Sequence, residues 1–252
     1  MQKIMKPIKL LFILLLLSTW MACDKNTLSS GDNFNSTGQG GSLARFTIVN
    51  NYLYTVDGMN LNVFNISTPA SPVFKNKVQI GFDIEAIFPF NNQLFIASNS
   101  AMYIYNISNP EQPVQESFVQ HLTGCDPIVA NDSIAFLTVH GGTRCGSMIN
   151  QLQVYDITNI TYPQLIANIP MTNPMGLGLK DSVLFVCDNG TGLRVLNVKN
   201  PYQIQSMYVV SGQQYLDVIP MDSTMLCMMS NGVAYFDISN LNQIVKIGEV
   251  KN

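Results

Sequence analysis

The residues able to do acid–base or anion chemistry in this chain are few and widely spaced. Arg45, Glu85, Asp126, Tyr215 and Asp217 stand at matching places in successive segments of the sequence. A carboxylate pair of this kind can serve as general acid and base, and an Arg with acids and a Tyr can line a polar cup. The same residues can equally cap strand ends and pair among themselves, and no spacing selects a catalytic pair. His140 and Arg144 lie in a Gly-rich insertion and are candidates for contacting an anion or a partner. No metal site is expected: His121 and His140 are the only histidines, and His-x-His and Cys-x-x-Cys are absent. Asp57, Asp188 and Asp237 sit at strand ends without the dense Asp/Asn/Gly loop that calcium requires. No nucleophile elbow or phosphate-cradling loop occurs, so no cofactor is expected.

What positions these residues is a repeat. An aromatic residue or Leu, then Asn or Asp, then Ile or Val, then Ser, Thr or Lys recurs from Phe64, Tyr105, Tyr155, Leu196 and Phe236. The steps are 41, 50, 41 and 40 residues. Within a repeat, short runs rich in β-branched and aromatic residues are bounded by Asn, Ser, Gly or Pro. In the second repeat these runs are 85–90, 93–97, 102–107 and 114–120, with Pro110 and Pro113 confined to the last turn. Four short strands per forty residues predict a β-propeller blade. The expected fold is all-β: a five-bladed propeller with blades at about 44–82, 83–123, 124–172, 173–214 and 215–252. Aligned on their first turns, the repeats place the five candidate residues at the entries to the innermost strands, around one mouth of the channel. The long step reflects an insertion at 140–150, a surface flap.

The first 22 residues read as a signal peptide: Lys3, Lys6 and Lys9 precede an apolar run from Leu10 to Leu17. Eight residues make roughly 12 Å of helix, far short of a ~30 Å hydrocarbon core. Ala22-Cys23 resembles the lipobox of bacterial lipoproteins, with Trp20 where that motif usually has Leu. The resemblance implies acylation of Cys23. Residues 23–43 are then the anchor and a polar, flexible tether. In an oxidising envelope, Cys125 and Cys145, both in polar surroundings of the third repeat, are a candidate disulfide. Cys187 and Cys227 sit in apolar strands and read as buried thiols. Net charge is −3, charged residues are 12 % of the chain, and no basic stripe exists, which argues against nucleic acid.

The phrase Val63-Phe64-Asn65-Ile66-Ser67-Thr68-Pro69-Ala70-Ser71-Pro72, with looser versions at 104–113 and 154–163, resembles the LVIVD-repeat family of bacterial envelope β-propellers. Cys125-Asp126-Pro127, the segment 150–155, and the segment 170–178 are also similar to lipoproteins of that family, which often carry His where this chain has Met175. The resemblance implies a fold and a location but no agreed activity. Asp132-Ser133, Asp181-Ser182 and Asp222-Ser223, each in the first turn of its repeat, resemble periplasmic O-glycosylation sites, although Asp-Ser is also an ordinary turn pair. The expectation is therefore a monomeric propeller, lipid-anchored in a Gram-negative envelope, more readily at the outer membrane. It would bind an envelope protein or a glycan without catalysis. The alternative is an envelope hydrolase or lyase with a carboxylate site at the channel mouth.

Overall fold

The computed structural model describes residues 40–120, 127–142 and 149–252. These form twenty strands and, among the described residues, no helix. Blade one holds β1 (Phe46–Val49), β2 (Tyr52–Val56), β3 (Asn60–Asn65) and β4 (Val73–Gln79), and blade two holds β5 (Ile84–Phe90), β6 (Gln93–Ser98), β7 (Ala101–Asn106) and β8 (Val114–Gln120). Blade three holds β9 (Ile128–Ala130), β10 (Ile134–Val139), β11 (Gln151–Asp156) and β12 (Gln164–Pro170). Blade four comprises β13 (Pro174–Lys180), β14 (Val183–Asp188), β15 (Gly192–Asn197) and β16 (Gln205–Val210). Blade five comprises β17 (Tyr215–Pro220), β18 (Thr224–Met229), β19 (Gly232–Asp237) and β20 (Val245–Lys251). Each blade is a four-stranded antiparallel sheet in chain order, and the five make a β-propeller, as the repeat predicts.

The repeated phrase has a local cause. Its Asn or Asp side chain accepts the N–H two residues on in every blade: Ser67 to Asn65, Ser108 to Asn106, Thr158 to Asp156, Lys199 to Asn197 and Ser239 to Asp237, at 2.8–3.0 Å. This Asx turn ends the third strand and reverses the chain. The aliphatic residue that follows donates its own N–H to the first turn of the same blade, as Ile66 does to the Asn51 carbonyl and Val198 to that of Ser182, both at 2.8 Å. The first turns are tight, with Asn50, Asn91 and Asp181 at φ of 54°, 50° and 52°, a conformation Asn and Asp tolerate better than most residues. One end of every sheet is thereby built from the same bonds.

The core lies between blades. Four hydrophobic clusters each join one neighbouring pair, such as Phe95, Leu137 and Tyr155 between blades two and three. Sheets in the middle bury both faces: every residue of β10 and of β14 is buried. The end blades bury one face each, so burial alternates along β2 and β18. Among the described residues no cluster joins blade five to blade one. Phe46, Met228 and Tyr235 remain 59 %, 42 % and 41 % exposed on those two blades.

Removing one Asx turn is expected to cost about 1 kcal/mol, the net worth of one hydrogen bond. Asn197→Ala should therefore lower Tm by about 2–4 °C in a domain of this size, while Asn197→Asp melts with the wild type; scanning calorimetry of the three proteins tests this.

Candidate functional site

The candidate channel mouth lies where the inner strands begin, and the loops that enter β1, β5, β13 and β17 are described there. The register at several entries is irregular, with a bulge between Ile84 and Ala86, between Pro174 and Leu177, and between Tyr215 and Asp217. A bulge re-aims the side chains beside it. In blade five, Leu216 is the extra residue, and Asp217 beside it is only 7 % exposed.

Asp217 is fully engaged by the segment preceding β1. Ser42 Oγ–H donates to Asp217 Oδ1 at 2.8 Å, and the Leu43 N–H donates to Oδ2 at 3.3 Å. Ser42 Oγ in turn accepts the Leu177 N–H at 2.8 Å, so one hydroxyl joins blade four, blade five and the entry to blade one. Ser42 is 1 % exposed. Two glycines make this approach sterically feasible. A Cβ on Gly41 or on Gly176 would lie 2.1 Å from a carboxylate oxygen of Asp217. Burial raises the Asp217 pKa, against hydrogen bonds from Ser42, Val218 and Leu43 that lower it. Residues 40–43 belong to the tether in the sequence reading; the structure packs Ser42 into the interior instead, because its hydroxyl satisfies both a buried acceptor and a buried donor.

A cavity beside this segment, lined by Gly40, Ser42, Phe88, Val129, Leu177 and Val218, measures about 30 Å³, room for a water or two.

The other candidates fall in different places. Arg45 is exposed, and its carbonyl accepts the Val56 N–H at 2.8 Å. Glu85 is half-buried at the bulge of β5. Tyr215 is buried in the cluster between blades four and five, edge-on to Phe236 at 6.1 Å, and desolvation pushes its hydroxyl up to about 12. Asp126, Arg144, Cys125, Cys145 and Cys23 lie outside the described residues. His140 directly follows blade three's second strand, half-buried; burial pulls its pKa down, against a hydrogen bond with Asn150. Asn150 joins the two flanks of the insertion and the next loop, accepting the Gly141 N–H at 2.8 Å and donating to the Thr172 carbonyl at 2.9 Å. Ser133, Ser182 and Ser223 occupy the first turns of blades three, four and five, at the opposite end of the sheets, where their carbonyls accept from Ile157, Val198 and Ile238. Cys187 and Cys227 are buried free thiols in one cluster, and desolvation pushes that of Cys227 up to about 12.

One clamp goes beyond the sequence reading. The Asp188 side chain is fully buried, accepts the N–H groups of Thr172 and Asn173 at 2.9 and 2.6 Å, and pairs with Arg194 at 3.3 Å. It holds the loop entering blade four. Asp57 and Asp237 instead satisfy their own turns, Asp57 accepting the N–H groups of Met59 and Asn60.

No family model matches the sequence, and no curated protein matches it. Solved structures share the fold. A protein from Lactobacillus plantarum is 14 % identical, with a TM-score of 0.64 over 79 % of this chain and 67 % of its own. A functionally unknown protein from Desulfotomaculum acetoxidans is 11 % identical, with a TM-score of 0.65 over 80 % and 66 %. The periplasmic gluconolactonase of Pseudomonas aeruginosa is 14 % identical, with a TM-score of 0.60 over 80 % and 68 %. The chain thus spans about two-thirds of these chains' length. At such identities the likeness defines the fold and nothing more.

Ser42→Ala strips a buried donor and a buried acceptor of their partner and is expected to cost about 1–3 kcal/mol, read by urea unfolding. A second outcome concerns pH. Because folding raises the Asp217 pKa, the native state holds its proton more tightly than the unfolded chain. The carboxyl's contribution is then complete below the ordinary Asp value near 4 and is lost as pH rises through the raised value. The stability of the wild type minus that of Asp217→Asn should therefore be larger at about pH 4 than at pH 7. A difference that is flat or rises with pH contradicts this.

Proposed function

We propose that the chain is a non-catalytic cell-envelope lipoprotein whose propeller binds a protein or glycan partner. The single observation that carries the reading is the commitment of Asp217 to the fold. An enzyme working at a propeller's channel mouth needs an acid or base free to face a substrate. Here Asp217 is only 7 % exposed and is bound to Ser42 and Leu43. Tyr215, a second member of the expected cup, is a core residue. What the rigid ring presents to solvent is loops, on a scaffold held by the same turn in every blade, an arrangement suited to recognition.

The location rests on the sequence. The lipobox-like Ala22-Cys23 after an apolar run supports an acylated Cys23, and the LVIVD-like phrase supports the Gram-negative envelope, with the outer membrane as the anchoring layer. The Pseudomonas aeruginosa gluconolactonase, a periplasmic protein of the same fold, keeps the hydrolase or lyase reading in view. Fold alone, however, grants no activity.

Cys23→Ser is expected to shift the protein from the carbonate-washed membrane fraction to the soluble one; retention in the membrane rejects the lipid anchor. In the native envelope, crosslinking of the wild type is expected to trap a partner. Purified protein is expected to give no turnover above buffer with lactone, ester and glycoside substrates. Turnover that Glu85→Gln abolishes would replace the binding reading by the catalytic one.

A further inference from the structure

We propose that the cleft between blades four and five is a binding site for a short, uncharged glycan. The cleft opens on the face where the inner strands begin. It is formed by the turn between β14 and β15, the loop between β16 and β17, and the turn between β18 and β19. Its volume is about 420 Å³, within the range of small-molecule sites.

The space exists because one set of bonds is missing. At other corners of this face the turn after a second strand is tied to a neighbouring loop. Ile80 and Gly81 donate their N–H groups to the Met59 carbonyl, and Ile84 donates to that of Gly58. Met171 donates to the Asn150 carbonyl, and Asn189 to that of Asn173. The loop at 211–214 has no counterpart: among the described residues no hydrogen bond ties it to the turn at 189–191 or to that at 230–231. Loop and turns stand apart, and their polar groups face the gap.

Those groups define the ligand. Thr191, Gln213, Gln214, Ser230 and Asn231 line the cleft together with glycines, and no ionisable side chain is among them. An amide side chain offers a donor and an acceptor side by side, the pattern that neighbouring sugar hydroxyls match, since each hydroxyl both gives and takes a hydrogen bond. An ion would find no counter-charge, and an apolar ligand would desolvate amides and hydroxyls without replacing their bonds to water. The backbone is accessible as well. Gly190 and Gly212 adopt φ of +99° and +92°, and nothing lies within 4 Å of where a Cβ of Gly212 would be, so a ligand can approach the bare peptide groups. The nearby acid, Asp188, is buried and committed to Arg194, Thr172 and Asn173. The cleft therefore holds a glycan without an acid to cleave it.

This inference rests on the reading of the chain as a binding module. The test uses the full chain and four probes: maltotriose, cellotriose, triacetylchitotriose and, as the anionic control, trigalacturonate. Calorimetry is expected to show millimolar or tighter binding of at least one neutral trisaccharide and none of trigalacturonate. Gln213→Ala/Gln214→Ala, which truncates two side chains of the loop at 211–214, should weaken that binding at least tenfold. Ser230→Trp, which fills the cleft, should abolish it, with Tm unchanged in the double-alanine protein. Binding that both variants leave intact, or no binding of any neutral trisaccharide, overturns the inference. If the double-alanine protein still traps its envelope partner in that case, the binding-module reading stands and the cleft alone fails. Substrate turnover would instead overturn the reading beneath both.

Discussion

A blade in the middle of the ring is a sheet with two apolar faces, and each of those faces needs a neighbour to be buried. Four of the five junctions do this by direct packing of buried side chains. The fifth does not, and the work of joining the last blade to the first passes to Ser42 on Asp217. A hydrogen bond between a hydroxyl and a carboxylate sealed from water is strong because no solvent competes, and losing it leaves groups that water cannot reach. The segment Gly40–Leu43 is thus the closure of the ring. Gly41 and Gly176 leave the room it requires.

The same closure commits the acid beside it. A carboxylate that accepts bonds from Ser42, Leu43 and Val218 has little hydrogen-bonding capacity left for a substrate. It is also buried, only 7 % exposed. Asp188 is removed from chemistry by the same logic, its oxygens spent on two backbone N–H groups and Arg194. With 12 % of its residues charged, this chain uses its buried acids as joints.

The blade architecture was legible in the sequence because its cause is local. The Asn or Asp of the repeated phrase bonds two residues along the chain, so the motif and the turn it makes occupy one short window. The site was less legible. Alignment of the repeats brought Asp217 to the channel mouth, but its partner Ser42 is 175 positions away in a Gly- and Ser-rich stretch that composition assigns to a tether. Tyr215 read as a cup residue because polarity was weighed without its neighbours; the structure sets its ring against Phe236. The Asp188 clamp offered only a strand-end acid. The cleft at 211–214 is defined by bonds that are absent, which no residue pattern announces.

Comparing the two ends of the sheets shows where variation is free. At one end, five Asx turns and five aliphatic N–H bonds repeat with distances that scarcely differ. Changing any of them removes a bond the blade needs. At the other end every corner is different. Blade one has a turn tied by Met59, blade three has Asn150 bound to Gly141, blade four a loop clamped by Asp188, and the junction of blades four and five an untied loop with a polar cleft. Repeats that share one stabilising solution can diverge only where stability does not dictate the residue. In the proposed binding role, recognition falls to the face where the inner strands begin, because the corner held by the fewest internal bonds has the most hydrogen-bonding groups left for a ligand.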